Sequence, residues 1–395
     1  MPPADASALA QDAAHSIFRQ LDRTAEPQPD GIRWQTLDWH NHPHYIPEIF
    51  TGAGGIVFFL ADYHRLTGSA RALELAAGAV QWCASPDRES HRDPEWEWAS
   101  NGIMRGRSGL GLAWLSLAAA SESKDHLARA ALVGETLLTT PIGPVTDWQD
   151  GSAGELLFLL RLSEATGDER FLRRATEHAA WLESIAVREG SDGCVWPWQT
   201  DHDEYAKWFG LSFVPGSTGI AYSLLCLYER TRHDRWASLG RAAAQTLQRQ
   251  ARPDKGGLNW PDTLDGFDRG EDRRCQWCYG ASGVGLFLSK AAAVLQDATI
   301  RDLALGAGEA TYAYGDVRRN PCLCHGLAGS ADLLLDLHQL TGEPIWHDRA
   351  VELARQIVTR YRRPSPDGDL WQSDDPGCHS PDYLYGVSGT GHFFL

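Results

Sequence analysis

Two short motifs bring sulfur and nitrogen donors together: Trp277-Cys278-Tyr279-Gly280 and Leu323-Cys324-His325-Gly326. Two thiolates and one imidazole form a borderline-soft donor set of the kind Zn(II) takes in a tetrahedron. Thiolates beside helix N-termini also have a lowered pKa, which favours the deprotonated form that binds metal. Three protein ligands leave one position open, the arrangement of catalytic rather than structural zinc sites. Two other readings compete. Cys275-x-x-Cys278 has zinc-finger spacing, so a closed four-ligand site would recruit Cys275; in the other, these thiols are small buried hydrophobes that hold no metal. The scattered Cys83, Cys194, Cys226 and Cys378 read as buried hydrophobes in either case, since eight cysteines in 395 residues are too sparse for a disulfide-stapled scaffold.

The elements that must position these donors are written in a repeat. Gly-x-x-Gly followed by an apolar run occurs seven times, opening at Gly52, Gly106, Gly151, Gly216, Gly280, Gly326 and Gly386. The intervals of 54, 45, 65, 64, 46 and 60 residues each fit two helices plus loops. Segments such as Ile56-Val57-Phe58-Phe59-Leu60 and Leu156-Leu157-Phe158-Leu159-Leu160 are apolar on most faces and predict buried inner helices. Several end in Thr-Gly, at Gly68, Gly167 and Gly342, which suits a left-handed glycine C-cap. Amphipathic segments follow, such as that around Trp236-Ala237-Ser238-Leu239, with the three-to-four spacing of helices wet on one side.

This pattern predicts an all-α protein: an α/α toroid, a double ring of seven outer and seven inner helices over residues 31–395, preceded by an N-terminal extension over residues 1–30. Closure is favoured over an open solenoid because the first and last repeats lack the polar caps a solenoid needs. The glycines would open every inner helix on one rim, and a site is expected there. The phase of the repeat favours the open metal site, because Cys278, Cys324 and His325 stand one or two residues before a signature glycine, whereas Cys275 and Cys322 lie further upstream. The chain stops six residues after Gly389, so the last inner helix is expected to be only about 10 Å long, and either the chain is clipped or the ring closes weakly. A formal charge of -16 gives no footprint for a phosphate backbone, which excludes nucleic acid as a partner, and no long apolar run or signal sequence argues for membrane insertion or export. The chain therefore reads as cytoplasmic.

The seven glycine repeats, the Trp-Cys-Tyr-Gly and Cys-His-Gly motifs and their 46-residue separation resemble those of the LanC-like family, the lanthionine cyclases, over about residues 35–395. The resemblance implies one zinc ion per chain, bound by Cys278, Cys324 and His325. It implies a Michael-type addition of a peptide cysteine thiol to a dehydroalanine or dehydrobutyrine of the same peptide, giving the thioether rings of lanthipeptides. It also implies a dehydrated precursor peptide as substrate and separate dehydratase proteins as partners. Residue by residue, Arg274 matches the family arginine, Tyr279 a position that is Tyr or His, and Asp147 the family aspartate; read without the family, Arg274 and Asp147 would be a surface ion pair.

One departure bears on mechanism. The fourth repeat in the family usually reads His-Gly, a candidate general acid or base, and here it reads Pro215-Gly216. Proline neither donates nor accepts a proton, and His202 is the nearby substitute, against its reading as an exposed loop residue. Two rival functions follow: a non-catalytic peptide-binding scaffold, from Pro215, and a carbohydrate-active toroid, from the acidic charge and the loop tryptophans Trp96, Trp98, Trp196, Trp198, Trp260 and Trp371. The latter has no use for Cys278 and Cys324 and needs paired carboxylates. His40, His42 and His44 alternate and would share a face on an extended segment, either as a metal site or as a polar loop.

Overall fold

The computed structural model describes residues 3–38, 40–85, 101–266 and 273–395. Fourteen α-helices run through it: α1 (Pro3–Thr24), α2 (Ala53–Thr67), α3 (Ala70–Cys83), α4 (Arg107–Ser121), α5 (Lys124–Thr139), α6 (Ser152–Thr166), α7 (Glu169–Ile185), α8 (Ser217–Thr231), α9 (Asp234–Gln250), α10 (Ala281–Leu295), α11 (Ala298–Tyr314), α12 (Leu327–Thr341), α13 (Pro344–Tyr361) and α14 (Val387–Phe393). Each signature glycine is the N-cap of an even-numbered helix, and α2, α4, α6, α8, α10, α12 and α14 pack side by side into a closed inner ring. The helices that follow them form the outer ring. Four of them start on side-chain caps, with Ser69, Ser123, Asp168 and Asp297 accepting from N–H groups of the first turn. Gly68, Gly167 and Gly342 end inner helices in the left-handed region, as the Thr-Gly pairs anticipate.

Among the described residues six outer helices follow inner ones, and α1 supplies the seventh. It packs against α14 and touches α13 and α3, with Ala13, Ile17 and Leu21 fully buried. The segment expected as an N-terminal extension thus carries part of the outer layer. The short α14 packs on α12, α2 and α1, and the inner ring is closed through it.

The second glycine of each signature has a steric reason. A Cβ on Gly283 would strike the Trp277 carbonyl oxygen and lie 2.9 Å from Phe213 Cβ of the preceding repeat, and one on Gly329 would strike the Leu323 carbonyl and lie 2.8 Å from Trp277 Cβ. Any side chain there would push neighbouring repeats apart. Backbone hydrogen bonds of 2.8 to 3.3 Å tie the residues two before the signature glycines into a belt: Val214 N–H to Cys278 O, Cys278 to Cys324, Cys324 to Leu384, Leu384 to Phe50, Phe50 to Met104 and Met104 to Gln149. The belt places the inner helix N-termini on one rim. One residue earlier in each repeat, Trp148, Phe213 and Trp277 meet with ring centroids 5.4 to 5.9 Å apart. Trp148 and Trp277 come from repeats that are not neighbours, so these rings meet across the inner ring, toward its axis.

Among the described residues strand is confined to five short antiparallel hairpins, including Val187–Glu189 with Gly193–Val195 and Arg252–Asp254 with Gly257–Asn259. Four hairpin regions end in phase-equivalent tryptophans. Trp34, Trp196 and Trp260 donate their indole N–H to Leu21 O, Leu182 O and Leu247 O on outer helices at 2.7 to 2.8 Å, and Trp371 donates to Ser16 Oγ. All four are completely buried, each contributing about 2–3 kcal/mol of burial and a satisfied donor. Four of the sixteen tryptophans thus fasten hairpins to the outer ring, and Trp196, Trp260 and Trp371 offer no face to a sugar. Trp96 and Trp98 lie outside the described residues.

Candidate metal centre

Cys278 and Cys324 stand two residues before the N-caps of α10 and α12, and the belt bond from Cys278 N–H to Cys324 O, 3.1 Å, fixes their spacing through backbone alone. His325 follows in the next position. The two sulfurs and an imidazole nitrogen lie within 4.8 Å of one another. Zinc with bonds of about 2.0 to 2.3 Å spaces tetrahedral donors by roughly 3.5–4 Å, so the three fit one ion with little adjustment. His325 Nε2 is 2.6 Å from Asp374 Oδ1, and Asn320 Nδ2 donates to the same oxygen at 2.8 Å. That leaves Nδ1 as the ring nitrogen for a metal, and a carboxylate behind the imidazole commonly orients a metal-binding histidine and raises its basicity.

The electrostatics suit the same assignment. Burial pushes the Cys278 thiol up, but hydrogen bonds from Cys324 and His325 and the charges of His325 and Arg274 outweigh it and bring it down to about 6. Burial likewise opposes a charged His325, yet the bond to Asp374 and the Cys278 sulfur hold it up to about 9. Cys324, sharing its proton with Cys278, is pushed well above the ordinary thiol range. A second group, Cys322 with His325 and Asp374, also lies within 4.8 Å but needs the same histidine. Burial pushes the Cys322 thiol well up, so the pair already holding a thiolate is the better ligand set. Cys275 belongs to neither group. Its sulfur lies 3.6 Å from Ser282 Oγ and Thr311 Oγ1, which removes the basis for the closed four-ligand site.

The other expected residues are distributed around the rim. Arg274, part-exposed, pairs with the buried Asp262 and lies 4.2 Å above the Tyr279 ring. Burial and the adjacent Cys278 raise the Tyr279 phenol, which stays protonated. Asp147 is buried and does not belong to the three-donor group. Its Oδ1 accepts from Asp150 N–H at 2.9 Å and its Oδ2 from the Trp198 indole at 3.1 Å, while burial and Asp150 push it up to about 7. Asp382 and Glu48 hold the same place in repeats seven and one and cap their loops in the same way. Pro215 follows the belt residue Val214. His202 is exposed, stacks on Tyr205 and accepts from its own turn. His42 pairs with Asp38, and the described histidines of that segment join no metal-binding group.

Sequence reasoning missed Asp374, Asn320 and Tyr385. Tyr385 was accessible, since it precedes Gly386 as His325 precedes Gly326, and its ring meets His325 edge-on at 5.2 Å. Asp374 carries no such signal, arriving 49 residues later on the loop behind Trp371.

Fold and site together define an α/α toroid with a Cys-Cys-His donor set at one rim. The family model for lanthionine synthetase C-like proteins matches residues 48–395, and the chain belongs to that family. A LanC-like protein of Arabidopsis thaliana is 24% identical over 326 residues, covering 80% of this chain and 71% of the relative. Among solved structures, nisin cyclase matches with a TM-score of 0.63 at 15% identity, covering 97% of this chain and 92% of its own. Cellobiose 2-epimerase from Spirochaeta thermophila matches with a TM-score of 0.52 at 13% identity, covering 99% and 94%. Both likenesses are of fold. Among the described residues no helix is long and apolar enough to cross a membrane.

Proposed function

We propose that this chain is a zinc-dependent lanthipeptide cyclase that closes thioether rings on a peptide dehydrated by a separate protein. The observation that carries the reading is the convergence of Cys278, Cys324 and a carboxylate-backed His325 at one rim. Zinc held by these three residues would supply a Lewis acid that lowers the pKa of a substrate thiol. In the addition the thiol gives up its S–H proton and the S–Cβ bond forms, the Cα=Cβ pair shifts onto the adjacent amide as an enolate, and Cα takes up one proton in place of the one released, so no atoms are lost. Arg274, anchored by Asp262 and the Tyr279 ring, offers positive charge to that enolate. Tyr279, kept protonated beside Cys278, offers the proton that Pro215 cannot. Asp147 acts from behind, holding Trp198 and its own loop in place.

Pro215 favours a second reading, a scaffold that binds the peptide without reacting. One experiment separates the two. Zinc-loaded protein is incubated with a dehydrated, cysteine-containing peptide, and alkylatable thiols are counted. Thiol loss that depends on the protein and vanishes in Cys324→Ala supports the cyclase. Loss at the rate without protein, while the peptide still binds, establishes the scaffold.

A further inference from the structure

Gln276 lies two residues before Cys278, almost wholly buried, and its carboxamide has two neighbours. On one side is the Arg318 guanidinium, from the loop that leads into α12. A guanidinium only donates, so the oxygen of the amide must face it. In that orientation the oxygen accepts from Arg318 Nε and Nη2 at 2.6 Å each. The nitrogen is thereby turned to Cys278 Sγ, 3.3 Å away. The Gln276 backbone is also fixed, its N–H donating to Tyr279 O at 2.8 Å and its carbonyl accepting from Gly283 N–H at 3.0 Å. The amide is therefore held at both ends of the side chain and at its backbone.

We infer that Gln276 is a positioning residue whose amide N–H, aimed by Arg318, damps the Cys278 sulfur. The inference rests on the metal reading and goes beyond it. With a substrate thiol in the open position, three sulfurs would face an electrophilic peptide, and only the substrate's should react. A hydrogen bond withdraws electron density from a thiolate and occupies a lone pair, so Cys278 becomes the poorer nucleophile while remaining a ligand. Selection between the Cys278 sulfur and the substrate's is thus built into the protein.

The test uses the full-length chain loaded with cobalt(II) in place of zinc, and variants Gln276→Glu and Gln276→Leu. Glu keeps the shape and the partnership with Arg318 but has no N–H for the sulfur, whereas Leu removes the donor without adding charge. In both, the sulfur-to-cobalt charge-transfer band is expected to move to longer wavelength. In the zinc-loaded variants, alkylation of Cys278 by N-ethylmaleimide, located by peptide mapping, is expected to quicken about tenfold, the order of one hydrogen bond to a charged group. A purely structural role would leave Gln276→Glu like the parent in both readouts, and that result overturns the inference while the metal reading stands. A parent protein that takes up no cobalt overturns both.

Discussion

At the scale of single residues, the candidate site is legible in the sequence as far as the repeat extends. Cys278, Cys324 and His325 are picked out because they share a phase, and phase becomes position once the belt hydrogen bonds form. Asp374 obeys no phase, so only the folded chain brings it to His325 Nε2. Replacing it with asparagine keeps the volume and loses the charge behind the imidazole. Asp374→Asn is expected to weaken zinc binding by about 10- to 100-fold, measured by competition with a chromogenic chelator. The protonation states make a second prediction. At pH 7.5 the metal-free site holds His325 charged, with its pKa near 9, and Cys324 protonated, whereas Cys278, near 6, is already a thiolate. Zinc uptake at that pH should therefore release about two protons, and about three well below pH 6, so affinity rises with pH. Indicator-dye titration in weak buffer checks the count; a single proton at pH 7.5 would contradict the thiolate–imidazolium pair.

Helices show which features the sequence conveyed and which it concealed. Apolar runs announced the inner helices, and their buried faces agree, but an apolar run says nothing of a polar residue trapped beneath it. His178 on α7 is fully buried with neither ring nitrogen hydrogen-bonded, and its Nε2 lies 3.8 Å from Glu155 of α6. Burial drives the imidazole down from 6.5 to about 3. The unfolded chain thus takes up a proton between pH 6.5 and 3 that the fold refuses, and stability falls as pH drops through that window. Glu155, raised from 4.5 to about 7 by the same burial, acts oppositely: its contribution is complete below 4.5 and is lost as pH rises through 7. His178→Leu should remove the first dependence alone. Urea unfolding is expected to show the variant gaining about 2 kcal/mol more over the parent at pH 5.0 than at pH 7.5.

Across the whole molecule, the double ring is completed by its two ends. The sequence concealed this, because α1 carries no glycine signature and two of its neighbours, α13 and α14, lie at the opposite terminus. Deleting residues 2–25 would uncover the surfaces that bury Ala13, Ala14, Ile17, Phe18 and Leu21. The expected cost is of order 5 kcal/mol, seen as a lowered thermal midpoint with association in sedimentation. An unchanged midpoint would restore the extension reading. The belt has a consequence of its own. Because backbone, rather than side chains, spaces Cys278 from Cys324, the metal centre is a cassette written on two adjacent sectors of a pseudo-sevenfold wheel. Leu384 N–H meets Phe50 O as Cys278 N–H meets Cys324 O, and Thr51 stands where His325 stands. The same three ligand types written at 384, 50 and 51 would recreate the geometry two sectors further round, so the wheel leaves the location of its chemistry to the choice of a few side chains.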